Sequence, residues 1–171
     1  MHDDELLDLV NDKDEVIGTL RRSEYDRLVS EKLGYIRAVE MFITNDEGEL
    51  WIPQRTAHKR IAPNSLDYSM GGHVSSGEDY ITAALREIKE ELNLDLSTSD
   101  LKFIKKFSPT EIPYFRVLYI YHSNVAPRFN PDDFVTAHWL SPWEILEKIR
   151  NGTSAKLSLQ ETVEELIKTQ G

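Results

Sequence analysis

GGHVSSGEDYITAALREIKEELNL, residues 71–94, is the stretch on which the reading of this chain turns. From about Glu78 to Leu92 it has the pattern of a strong helix. At about 100° per residue, Ile81, Ala84, Leu85, Ile88 and Leu92 fall on one stripe, while Glu87, Glu90 and Glu91 converge on roughly the opposite face. Carboxylates spaced i, i+3 and i+4 repel one another and cost an ordinary helix a few tenths of a kcal/mol per pair. On a bare hexapeptide they would read as a solvated face. Hard divalent cations reverse the sign, because they prefer carboxylate oxygens and also bridge phosphates. Between residues 78 and 91 five acids stand against two bases, a local excess that reads as a cation site.

The rest of the chain sets limits on that reading. Its 171 residues suit one domain with one core, and 40% hydrophobic against 29% charged residues is a globular balance. The net charge of -10 argues against a nucleic-acid partner unless bound cations reverse the field. With no cysteine, disulfides, thiolate nucleophiles and Cys-ligated metals are excluded, and only oxygen and imidazole ligands remain. The start, MHDDELLDLV, lacks the basic and apolar regions of a signal peptide, and no run approaches the ~20 apolar residues of a membrane span. The expectation is a soluble cytoplasmic protein with no membrane partner.

Residues 5–20 read as two strands joined by Asn11, Asp12, Lys13 and Asp14. Ser23 is the expected cap of a short helix, SEYDRLVSEKLG, stopped at Gly34. YIRAVEMFITN and ELWIPQR flank Asp46, Glu47 and Gly48 as a second hairpin, and residues 56–67 form a polar loop. YSMGGHV reads as a strand ending in Gly71 and Gly72; LKFIKKF, YFRVLYIYH and AHWLS read as later strands. Pro142 opens the helix PWEILEKIRNG, and LSLQETVEELIKTQ closes the chain, with Glu161, Glu164 and Glu165 on a solvated face. Trp139 and Trp143 read as packing residues, Tyr119 and Tyr121 as core or cross-strand pairs, and Tyr114 and Phe115 as candidates to touch a substrate. Mixed strands with few long helices and no repeat predict an α/β sheet flanked by helices in one domain, 1–171, with a hairpin and short helix over 1–34 and the core over 35–171.

The spacing Gly72, five residues, Glu78, seven residues, Arg86-Glu87, Ile88, one residue, Glu90-Glu91 resembles the Nudix box. One position departs: Asn93 stands where the box has glycine, and Asn is the next-best residue for the left-handed helix stop. The resemblance implies a Nudix-type α/β/α sandwich with a mixed sheet and a catalytic loop-helix-loop. It implies a Mg²⁺- or Mn²⁺-dependent hydrolase that cleaves a diphosphate linkage in a nucleoside diphosphate joined to another moiety, or in a related small diphosphate. Carried over residue by residue, Glu87, Glu90 and Glu91 are the metal ligands and catalytic acids. Glu78 supports the metal group, Arg86 orients the glutamates, and the Gly72 carbonyl adds a ligand.

Outside the box, ELLDLVNDKDEVIG, QRTAHKR and EIPY at 111–114 resemble, in that order, isopentenyl diphosphate isomerase and the hydrolases nearest to it. The isomerase uses a cysteine just before a Gly-His pair; here that stretch is Ser69-Met70-Gly71-Gly72-His73. An isomerase built on this chain would need Tyr68 or His73 in place of the thiol, whereas the complete REIKEE motif favours hydrolysis. The resemblance makes His73 a metal ligand, Glu111 a catalytic or metal-linked acid, and Arg55 and Lys59 the residues that grip the diphosphate, with His58 and Arg60 as weaker counterparts. A non-catalytic nucleotide-binding module of the same fold is the alternative from another class, and many relatives form homodimers.

Overall fold

The computed structural model describes residues 4–170. β1 (Leu6–Val10) and β2 (Val16–Arg21) pair antiparallel. Asn11 closes their turn, its Oδ1 accepting the backbone N–H groups of Lys13 and Glu15 at 2.9 and 3.0 Å. The helix that follows is shorter than its sequence suggests. α1 spans only Tyr25–Ser30 after a 3₁₀ turn at Arg22–Glu24. Ser23 does not cap it, because its hydroxyl donates instead to Asp4 Oδ1 at 2.6 Å.

The second hairpin opens almost at once. β3 (Ile36–Thr44) and β4 (Leu50–Arg55) pair only at Thr44 and Leu50. Beyond that point β5 (Met70–His73) takes the edge of β3 from Ala38 to Met41, and β4 leaves to pair along β8 (Phe134–Leu140). On the other edge of β3 runs β7 (Tyr114–His122), parallel to it, followed by antiparallel β6 (Lys102–Phe107). The sheet is therefore mixed, ordered β6-β7-β3-β4-β8 with β5 beside β3. The split between β4 and β5 is what later admits charged side chains.

Strand alternation distributes the core to two faces. Val39, Met41 and Ile43 pack with Val117, Tyr119 and Ala84 and Ile88 of α2 (Tyr80–Leu92). Phe42, Leu118 and Ile120 pack with Ile145 of α3 (Pro142–Arg150) and with Leu159, Val163 and Leu166 of α4 (Leu159–Gln170). The result is the expected α/β/α sandwich, with the hairpin and α1 closing a third apolar cluster on Leu7, Leu20, Leu28 and Ile36. Within the described residues no helix is long and apolar enough to cross a membrane.

Caps explain the helix limits. Asp79 accepts the backbone N–H of Thr82 at 2.9 Å, so α2 starts at Tyr80 and Glu78 lies outside it. Asn93 ends the helix at φ 56°, and its amide donates to the Arg128 carbonyl at 2.6 Å. Ser141 and Glu144 form a capping box ahead of Pro142. Trp143, expected in the core, is 67% exposed, whereas Phe115, expected near substrate, is buried. Position explains both: Trp143 follows the helix-opening proline on the solvent side, and Phe115 lies inside central strand β7.

One polar cluster crosses the α4 side of the sheet. Arg116 donates from Nη1 to Glu40 Oε1 at 2.7 Å, Thr162 Oγ1 at 2.9 Å and the Tyr68 hydroxyl at 3.2 Å. The Tyr68 hydroxyl also meets Ser158 and Thr162 at 2.7 and 2.8 Å. Burial pushes the Glu40 carboxyl up, opposed by Arg116.

Candidate functional site

The carboxylate face of α2 lies partly against β5, with Glu87 buried there and Glu90 and Glu91 half-buried. Glu87 is 5% exposed, and a Cβ on Gly72 would stand 2.6 Å from both its Cγ and its Oε1. Only glycine lets the strand backbone come this close. Gly72→Ala should displace the Glu87 carboxylate; an ångström-scale misplacement lowers turnover by about 100-fold. The melting temperature should move far less, because a flexible side chain gives way rather than the backbone. A steady-state assay beside a thermal melt checks this.

Arg86 organises the acids around it. Its Nε and Nη2 hold Glu78 in a fork at 2.9 and 2.8 Å, Nη1 donates to Glu87 at 2.9 Å, and Glu90 lies 3.6 Å away. Nη2 also donates to the His73 carbonyl at 3.1 Å and the Ser75 hydroxyl at 3.3 Å. Glu78 in turn accepts the Ser75 N–H at 2.8 Å. Burial raises the Glu78 carboxyl, but the Arg86 hydrogen bonds and charge together with the Ser75 hydrogen bonds hold it below its ordinary value. The guanidinium is raised by Glu78 first and then Glu87. Thus the loop before α2 and the helix itself are tied through one side chain.

Glu91 faces a different set of charges. Its Oε1 accepts the Gly71 N–H at 3.2 Å. Burial pushes its carboxyl well above the usual range, reinforced by Glu87, Asp67 and Asp133 and opposed by Lys156. Asp67 and Asp133 are the partners of the two basic residues expected to grip phosphate. Arg55 donates from Nη1 to Asp67 at 2.7 Å and from Nε to the Ile61 carbonyl at 2.9 Å, and Lys59 donates to Asp133 at 2.6 Å. Asp67, Asp133 and Lys156 escaped the sequence reading because no local motif marks them.

Other expected residues meet further parts of the fold. His73 alternates to the side of β5 opposite Gly72, where its Nε2 is 3.2 Å from the Tyr114 hydroxyl and its ring tilts against the tyrosine ring at 5.6 Å. Glu111 is exposed and borders an open depression of about 390 Å³ with Gln160, Glu161 and Glu164 of α4. Tyr68 is buried, with its hydroxyl engaged by Ser158, Thr162 and Arg116. Among the described residues no three carboxylate or imidazole groups already converge as a metal cage.

Comparison with known proteins accounts for this arrangement. The NUDIX domain model matches residues 34–160. An uncharacterised Nudix hydrolase of Nostoc is 42% identical over 96% of each chain. A crystal structure of a Deinococcus radiodurans protein superimposes with a TM-score of 0.82 at 40% identity, covering 94% of this chain and 98% of that one. The isopentenyl-diphosphate Delta-isomerase of Paenarthrobacter aurescens is similar at a lower level, 27% identical over 69% of this chain and 67% of its own. With Glu87 buried against the glycine strand inside a mixed α/β/α sandwich, and the family model matching residues 34–160, this chain belongs to the Nudix hydrolase family.

Proposed function

We propose that the protein hydrolyses a diphosphate linkage in a nucleoside diphosphate joined to a second moiety, or in a related small diphosphate, with Mg²⁺ or Mn²⁺ as the required cation. The observation that carries this reading is the packing of Glu87 into the Gly72 cradle with Glu90 and Glu91 on the same helix. A hard cation suits the donor set: only carboxylate oxygens are gathered there, and the Glu91 carboxyl, pushed up by burial and by Glu87, is in the environment a cation relieves. When bound, such a cation neutralises phosphate charge and acidifies a water.

The residues of the chain supply position. Glu87, Glu90 and Glu91 offer the oxygens, and Arg86 holds the first two by hydrogen bond and ion pair while fixing Glu78. Arg55 at the end of β4 and Lys59 in the loop after it orient the diphosphate using the N–H groups that Asp67 and Asp133 leave open. A water proton passes to a box glutamate; Glu111 reaches that role only if its loop approaches α2. The isomerase reading is weakened by the placement of Tyr68, whose hydroxyl serves the buried α4 network.

A hydrolysis screen tests the proposal, with Mg²⁺ or Mn²⁺ and a panel of nucleoside triphosphates, dinucleoside polyphosphates, ADP-ribose, nucleotide sugars, NADH, coenzyme A and prenyl diphosphates, the phosphomonoester and pyrophosphate products being resolved by anion-exchange chromatography. Turnover of at least one member, lost on chelation and restored by Mn²⁺, is the expected result. Silence across the panel, with no Mn²⁺ binding by calorimetry, would favour a binding module. Conversion of isopentenyl to dimethylallyl diphosphate would favour the isomerase.

A further inference from the structure

We propose that Lys156, in the segment between α3 and α4, is a substrate-binding residue that donates to a phosphate oxygen beside the α2 carboxylates; this rests on the diphosphate-hydrolase reading above. The backbone at this position is firmly placed. Ala155 pairs with Leu66 as a short parallel bridge, Lys156 N–H donates to the Leu66 carbonyl at 2.9 Å, and Leu66 N–H donates to Ser154 at 2.9 Å. The side chain is steered as well. Its ammonium lies 5.8 Å from the centre of the Tyr68 ring, and that ring is anchored through its hydroxyl to Ser158 and Thr162.

What distinguishes Lys156 is its unspent donor capacity. Arg55 and Lys59 each commit a short hydrogen bond to an internal carboxylate. The Lys156 ammonium, 28% exposed, stands 3.6 Å from Asp67 Oδ1 and donates no hydrogen bond to any described residue. Asp67 is already occupied by Arg55 and by the Tyr68 N–H, both at 2.7 Å. Three N–H donors therefore remain on a charge held in place over an aromatic ring.

Its location matches the ligand's requirement. A Cβ on Gly71 would stand 3.2 Å from Nζ, and the Gly71 N–H is the group that holds Glu91. Lys156 is thus next to the carboxylate end of the site, at the split between β4 and β5. A phosphate oxygen brought in by a cation on the glutamates completes its donors without breaking an existing hydrogen bond. A purely structural counter-ion to Asp67 and Glu91 is the competing role, and it makes different predictions.

Calorimetric titration with imidodiphosphate in the presence of Mg²⁺ separates the two, run on wild type, Lys156→Ala and Lys156→Arg. Loss of one charge-assisted phosphate contact predicts a Kd about 10- to 100-fold weaker for Lys156→Ala, with Lys156→Arg close to wild type. Mn²⁺ affinity measured alone should stay unchanged, and in turnover assays the loss should appear in KM more than in kcat. Wild-type binding of imidodiphosphate by Lys156→Ala would overturn the inference and leave the hydrolase reading intact. A loss matched by an equal loss of Mn²⁺ affinity would also overturn it, in favour of the counter-ion role. Failure of the wild type to bind imidodiphosphate with Mg²⁺ would sink the hydrolase reading and this inference together.

Discussion

Glu90→Gln is expected to lower turnover by about 10³-fold or more while the protein stays folded. The substitution keeps shape and removes one oxygen charge, and the contribution of a correctly held cation to transition-state stabilisation, several kcal/mol, corresponds to roughly that factor. Stability should change little. Arg86 retains its fork on Glu78 and its bond to Glu87, and its own contact with Glu90 is a longer 3.6 Å ion pair. Product formation with Mn²⁺ on a substrate that the wild type turns over, compared with the thermal midpoint, is the measurement. Full turnover in this variant would place the chemistry somewhere other than the α2 carboxylates.

Arg116→Met is expected to have the largest effect on stability. Arg116 and Glu40 are both nearly fully buried, and methionine can fill the arginine's volume but offers Glu40 nothing. The carboxylate keeps the Ser158 hydroxyl at 3.5 Å, the Tyr68 hydroxyl and the more distant Lys156 charge, none of which replaces the guanidinium. Breaking a buried pair from one side costs about 3–5 kcal/mol, or a fall of about 10 °C in melting temperature for a domain of this size. The effect has a pH signature. Burial raises the folded-state pKa of Glu40, and removing Arg116 raises it further. A carboxyl raised on folding costs nothing below its unfolded pKa and costs progressively more as pH rises toward the folded value. The variant's deficit should therefore shrink toward acidic pH, and adding Glu40→Gln should recover part of it. Thermal melts at several pH values read both effects, and a loss under about 1 kcal/mol at neutral pH would show that the pair is not carrying this junction.

How much of the fold was legible follows from the range of the interactions. α2, its Asn93 stop and the Pro142 helix start are written in local periodicity and caps; the stop and the Pro142 start stand where those signals put them, while α2 begins at Tyr80, two residues after Glu78, because Asp79 is its cap. The hairpin of β3 and β4 was half legible: its turn is local, but β5 and β8 compete for the strand edges and pull the hairpin open after one pair. Helical spacing predicted the shared face of Glu87, Glu90 and Glu91. It did not predict that Glu87 would be buried, since that depends on Gly72 arriving from a strand paired to β3.

The chain's sequence alone determined the helix, its carboxylates and the glycine that must accompany them, because each is set by residues close along the chain. Tertiary structure alone decided which charges surround Glu91. Asp67, Asp133 and Lys156 come from three separate loops, converging only because β4 pairs with β8 and residues 155–156 dock on Leu66. It also set His73 beside Tyr114 and Glu111 beside α4, through strand alternation and the packing of α4. Contacts between distant segments leave no period in a sequence, so they become visible only when the sheet order brings those segments together.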